Sequence, residues 1–455
     1  MKFADARDII TPAVKTYMAG VSSLNGQQFV GVHDDLYVKT LLLNDGRQSI
    51  LLVTYDILMH DYALRETIAE YVKSRYGIEG QNLIVSYTHS HAGPAVSGYD
   101  PGCASPEYEA FLLERTKSCI DRAFVNLADG TAAFGWVEGD WSINRRAMVD
   151  GRVKLVPNLS GKKDRRLNIL RLSGSDGSCR VLLLNFACHP LAMGATLGLS
   201  SEYPGRLCHL LESEFYGCTA LFFQGAGATA HPMVWAGANN DWKNCAYEDV
   251  DAMAQSMALS VRNALFSGKL RPITLDLAAR QFVIQLETEV YPKEFFQRVA
   301  DSPTLPTVTP EESRGILGRL RLLDMPPNNN TSARNAARWV LEHYDSTGST
   351  IPVHAGIVRL SPDLFIGWMC GEVCYEVKQE IEKVFSGKDL IFIGYCDGIA
   401  YIPDDNLLDE GGYEVDGSVV EFCLKGRLKK GITNKVRTAF ADNRKALPRC
   451  TVSDR

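Results

Sequence analysis

No window of the 455-residue sequence approaches the ~20 consecutive apolar residues of a membrane-spanning helix. The greasiest runs, 50–55 and 181–187, have the length of strands, so no transmembrane segment is expected. Positive charge is also scarce. Lys and Arg number 48 against 54 Asp and Glu, the formal net charge is −6, and no block of one sign exceeds a few residues, so nucleic acid is not an expected partner. The opening segment holds Asp5, Arg7 and Asp8 where an export signal would need about 7–15 apolar residues in a row; the expected location is the cytoplasm. None of the 12 cysteines forms a Cys-x-x-Cys pair, the spacing of many redox and zinc sites. Several instead lie in or beside apolar runs (Cys179, Cys188, Cys208, Cys218, Cys370, Cys396), where a reduced thiol behaves as a small hydrophobe, and free thiols are expected. Repeats and low-complexity tracts are missing, which excludes solenoids and linkers. With 45% hydrophobic and 22% charged residues, the composition is that of a globular protein with a large core.

What is present is an alternation of strand-length apolar runs with amphipathic helical stretches. Strands are expected at 37–43, 49–55, 82–87, 132–137, 168–172, 180–187 and 220–224, with helices at 107–127, 203–215 and 249–266. After a long strand at 275–286, the pattern turns helical between 291 and 344, with segments at 292–300, 311–323 and 332–342 separated by proline and asparagine turns. Strands at 351–360, 364–368 and 390–395 and a helix at 373–385 then resume the earlier pattern; the tail 425–449 reads as a basic, solvated helix. The fold class is therefore α/β, with mixed β-sheets flanked by helices, because several strands follow one another without a helical crossover. A single domain over 1–455 with a helical insertion at about 291–344 is expected, the insertion being either a lid or a surface excursion.

Chemistry concentrates at strand ends. Thr88-His89-Ser90-His91-Ala92-Gly93-Pro94 follows a strand, and in extended backbone positions i and i+2 face one side. Two rings could then address one site, or both could be solvated loop histidines. His189 ends another strongly apolar strand and precedes Pro190; two strand-end histidines suit a metal. Asp56 reads as a cap or turn residue, and Glu372, between Gly371 and a helix, fits a cap or a ligand. The other histidines, His33, His60, His209, His343 and His354, have no strong companions and read as structural or solvated.

The ordered set of motifs resembles the neutral and alkaline ceramidases and their bacterial relatives, in particular the N-terminal catalytic domain. It comprises Asp8-Ile-Ile-Thr-Pro12, Met18-Ala-Gly20, the Thr88 to Pro94 segment, Ile143-Asn144-Arg145, His189-Pro190, Gly371-Glu372, Tyr401 and Gly412-Tyr413-Glu414. The resemblance implies a catalytic Zn2+ held by His89, His189, Glu372 and Tyr401. It further implies His91 as general base or proton shuttle, Arg145 as a binder of substrate polar groups and Tyr413 as donor to the developing oxyanion. Such a site would cleave an amide (N-acyl) bond with water activated on the metal, the acidity of that water falling to a pKa of roughly 7.

Two features depart from the family. Where it carries a serine before a proline, this sequence has Gln224-Gly-Ala-Gly-Ala-Thr-Ala-His231-Pro232, which puts His231 at the serine's place as a substrate-binding or acid/base residue. Thr229 is out of register by two residues. The family's additional C-terminal β-sandwich has no counterpart in the sequence. The expected substrate is a lipid or small-molecule amide, with a sugar-linked amide fitting as well as ceramide. The rival readings are a metal-dependent hydrolase or lyase acting on a carbohydrate or other small polar substrate, and a catalytically silent metal-binding homologue.

Overall fold

A computed structural model of the chain describes residues 1–20, 26–97, 104–194, 196–237, 241–243, 245–301 and 331–449. Its largest sheet runs in the order Thr219–Gln224, Cys179–Phe186, Arg166–Gly174, Ala128–Glu138, Lys2–Ile9, Tyr37–Asn44, Ser49–Tyr55, Leu83–Tyr87, with Arg271–Ile273 added beside Ala128–Glu138. Inner neighbours are antiparallel. Both outermost pairs are parallel: Leu83–Tyr87 with Ser49–Tyr55, and Thr219–Gln224 with Cys179–Phe186. A second sheet orders Ala278–Glu287, Thr350–Ser361, Leu364–Met369 and Asp389–Ile393, its last pair again parallel. Mixed sheets with flanking helices are thus what the chain forms.

The strands read as unbroken apolar runs because both faces of the large sheet are covered. Side chains alternate with period 2. Leu41, Leu43, Ile50, Leu52 and Leu183 enter a core shared with the second sheet. Their neighbours Leu42, Leu51 and Val53 pack under the helices Tyr62–Tyr76 and Pro106–Val125, and Leu182 and Leu184 pack under Glu202–Glu214 and Tyr247–Phe266. The outer helices are bounded by local chemistry. Asp61 caps Tyr62–Tyr76 by accepting from the Ala63 N–H, and Gly77 ends it in the left-handed region at φ 69°. Ser105 accepts from the Tyr108 N–H at the head of Pro106–Val125, whose first residue is the proline.

Several elements differ from the sequence reading. The helix Tyr62–Tyr76 and the strands Lys2–Ile9, Ser142–Val149 and Arg152–Asn158 were not anticipated; the helix has a weakly apolar face and buries Arg65 along with Leu64, Ile68 and Val72. The tail is helical only over Ile432–Lys445, and it is not a solvated helix. Ile432, Val436 and Phe440 insert into the main core, so its basic residues form one face only. In the helical stretch after Tyr291, Lys293–Asp301 and Thr331–His343 pack on each other and against Val419 and Val420; the expected helix at 311–323 lies outside the described residues. Among the described residues no helix is long and apolar enough to cross a membrane, and the ten described cysteines are free thiols.

Candidate active site

The carboxyl ends of parallel strands from both sheets meet at one place. The Tyr87 N–H donates to the Tyr395 carbonyl at 3.1 Å, the Gly394 N–H to Gln224 at 2.9 Å, and the Asn185 amide to Phe392 at 2.8 Å. These bonds stitch the ends of Leu83–Tyr87, Cys179–Phe186, Thr219–Gln224 and Asp389–Ile393 together. Residues immediately beyond those ends, where open α/β sheets place ligands, therefore face a common space.

Three imidazoles occupy it. Ring centroids of His89 lie 4.8 Å from His91 and 4.9 Å from His189, and one nitrogen of each ring falls within 4.8 Å of the others. The backbone at His89 is left-handed, with φ 68°, so extended i, i+2 spacing is not what aims the rings. A turn held at His89 does so, a costly conformation kept by its surroundings. Every ring is oriented by a backbone carbonyl: Nδ1 of His89 donates to Leu58 O at 2.9 Å, that of His91 to Gly20 O at 2.6 Å, and that of His189 to Gly227 O at 2.8 Å. A carbonyl can only accept, so Nδ1 carries the hydrogen and Nε2 presents a lone pair. Nε2 of His89 and of His91 is buried without a hydrogen-bond partner among the described residues. Burial pushes the His89 and His91 imidazoles well below their ordinary pKa and His189 to about 3, keeping all three neutral.

A carboxylate and a phenol complete the cluster. Glu372 Oε2 lies 3.0 Å from His189 Nε2 and 3.5 Å from His89 Nε2, and the Tyr401 hydroxyl is 3.5 Å from His189 Nε2. Glu372 and Tyr401 are direct partners in a two-residue parallel bridge between Glu372–Val373 and Tyr401–Ile402. Glu372 is no helix cap, since Cys374 holds that position at the start of Tyr375–Val384. Burial raises the carboxyl of Glu372 and the hydroxyl of Tyr401 above their ordinary ranges. Buried lone pairs facing one another at these distances are mutually repulsive unless a proton or a cation sits among them. The donor set of imidazole nitrogens, carboxylate and phenol oxygen fits a divalent cation such as zinc. Asp56, the other strand-end acid, is a turn residue: it accepts from the Tyr37 N–H at 3.1 Å, and burial lifts it to about 7.

Behind Tyr401 stands a buried ionic group. Arg145 Nη2 donates to the Tyr401 hydroxyl at 3.1 Å, its Nε donates to Glu414 at 2.8 Å, and Nη1 lies 3.4 Å from His231 Nε2. Arg146 binds the other oxygen of Glu414. Burial alone would raise the Glu414 carboxyl, but Arg146 and Arg145 outweigh it and hold the group at about 2. The Tyr413 ring lies 5.5 Å from that of Tyr401, and its hydroxyl donates to Glu421 at 2.6 Å. His231 sits on the short strand Ala230–Pro232, paired with Ser142–Val149 so that it lies opposite Ile143. Its ring is 5.6 Å from His189. All eight residues singled out by the sequence thus fall within one connected cluster.

Other members had no mark in the sequence. The Tyr395 ring lies 4.4 Å from that of His89, tilted by 44°, Glu421 holds Tyr413, and Trp235 and Trp242 flank His231 at 4.7 and 5.0 Å. Glu414 was part of a noted motif but without a task; the adjacent pair Arg145-Arg146 on a strand was the available signal, since two buried guanidiniums demand an acid.

Residues 4–220 match the family described as neutral/alkaline non-lysosomal ceramidase, N-terminal. The chain is similar in fold to neutral ceramidase from Pseudomonas aeruginosa, at 17% identity and a TM-score of 0.74, over 99% of this chain and 76% of that one. It is likewise similar to a ceramidase complexed with C2, at 16% identity and a TM-score of 0.72, over 100% of this chain and 77% of that one.

Proposed function

We propose that the protein, whose residues 4–220 match the family described as neutral/alkaline non-lysosomal ceramidase, N-terminal, is a metal-dependent hydrolase that cleaves an amide (N-acyl) bond. The observation that carries this reading is the set of buried imidazole lone pairs at His89, His91 and His189, turned inward by three backbone carbonyls, with Glu372 alongside. His89, His189, Glu372 and Tyr401 would hold a zinc ion. Bound there, the ion supplies Lewis-acid polarisation of the substrate carbonyl and an acidified water as nucleophile.

The chain's own residues supply the rest. His91, not needed as a ligand, keeps its Nε2 free to take a proton from the attacking water and return it to the leaving amine, while the Gly20 carbonyl fixes its tautomer. Arg145 steadies the phenolic oxygen of Tyr401 and is itself neutralised by Glu414. Tyr413 is one ring away and becomes a donor to the substrate oxygen once its hydroxyl leaves Glu421. Ceramide is the substrate class that the family name suggests, and a smaller polar amide is served by the same chemistry.

The experiment is metal analysis together with turnover of an N-acyl substrate panel. About one zinc per chain is expected in wild type and in His91→Ala, and loss of the metal in His189→Ala. His91→Ala should lower turnover by roughly 10²-fold or more, and a chelator should abolish it. Full activity in His91→Ala would remove that residue from its role; bound metal with no turnover on any substrate would favour a silent metal-binding homologue.

A further inference from the structure

Beside the cluster, His231 adjoins a pair of stacked indoles. His231 Nε2 faces the Arg145 guanidinium, which can only donate, so the imidazole hydrogen is on Nδ1. That Nδ1 is buried without a partner among the described residues, and so is the Thr229 hydroxyl two positions earlier. Backbone bonds tie this segment to the centre: Arg145 N–H to Thr229 O at 2.9 Å and His189 N–H to Ala230 O at 3.0 Å. In contact with the His231 ring are the half-buried indoles of Trp235 and Trp242, stacked at 5.1 Å and 24°. They are held rigidly. Trp242 Nε1 donates to Leu155 O at 2.8 Å, the Lys243 N–H donates to Trp235 O at 2.9 Å, and Ala236 bridges Trp242.

We infer that His231, Thr229, Trp235 and Trp242 form a subsite for a hydroxylated ring, so that the amide cleaved is one carried by an amino sugar or a similar polar ring. This deepens, and rests on, the hydrolase reading above. Two unspent buried hydrogen-bonding groups call for acceptors and donors on the edge of the ligand. The negative face of a fixed indole suits the polarised C–H groups on the flat face of such a ring. An alkyl chain would leave His231 Nδ1 and Thr229 Oγ1 unpaired, a loss of about ten-fold or more in affinity for each.

The test pairs binding with turnover on the metal-replete protein. Tryptophan fluorescence is titrated with N-acetylglucosamine and with N-acetylsphingosine, and hydrolysis of both is followed. Saturable binding of the sugar and a kcat/KM at least about ten-fold above that for the sphingoid amide are expected. Trp235→Ala should raise KM for the sugar about ten-fold with little change in kcat, and Trp235→Phe should restore it. A ten-fold preference for the sphingoid amide, or no sugar binding by wild type, overturns the subsite whether or not the variants fold, and leaves the hydrolase reading standing. Sugar binding lost in Trp235→Ala, with neither amide hydrolysed, supports the subsite and overturns the hydrolase.

Discussion

Gly20 shows how closely single residues are committed around the imidazoles. Its φ is +96°, its carbonyl orients His91, and a Cβ added there would lie 2.9 Å from both Cα and Nδ1 of His91. Gly20→Ala should therefore cut kcat/KM by at least about ten-fold while the metal content, set by other side chains, stays the same. Glu414 carries a different burden. Glu414→Gln strands two buried guanidiniums and should cost about 3–5 kcal/mol in unfolding free energy. Since the carboxylate is held at about 2 against an ordinary 4.5, its contribution is complete above pH 4.5 and disappears as the pH falls towards 2. Urea unfolding of wild type and Glu414→Gln across that range should show the gap closing with acid. At this scale Tyr401 came only from the family resemblance, whereas His89, His189 and Glu372 were legible in sequence because each closely follows a strand-length apolar run, with Pro190 next to His189 and Gly371 next to Glu372. The orienting groups were not, because the carbonyls of Leu58, Gly20 and Gly227 belong to the backbone, which has no signature of its own. Arg145 and Glu414 are 269 positions apart, too distant for any local pattern to join them.

Between elements, His60 is a clamp. It lies in the turn before Tyr62–Tyr76, and its two ring nitrogens bind Asp61 at 3.0 Å and, on Pro106–Val125, Glu109 at 2.6 Å. Burial alone would lower its pKa, but the bonds to Asp61 and Glu109 raise it to about 9. Its stabilising contribution is thus full below about pH 6.5, the unfolded value, and is lost as the pH rises through 9. The melting temperature of His60→Gln should lie below that of wild type at pH 6, with the difference shrinking towards pH 10. Strands buried on both faces announced themselves as apolar runs, whereas Tyr62–Tyr76 did not, because a helix that buries an arginine under a sheet dilutes its own periodicity. The basic face of Ile432–Lys445 hid three inward residues for the converse reason.

Across the whole molecule, the fold class followed from the alternation of patterns, but the pairing of two sheets did not. Strand order depends on contacts between distant segments that no run of residues encodes. Glu372 meets His189 over 183 positions and Tyr401 meets it over 212. No part of the chain taken alone holds the full complement of donors. Upon dilution from denaturant, the far-ultraviolet signal of the chain should return before the capacity to capture zinc from a colorimetric chelator, and the slower process should be the one that restores turnover. Cation uptake would then serve as a clock for the moment at which the two sheets dock.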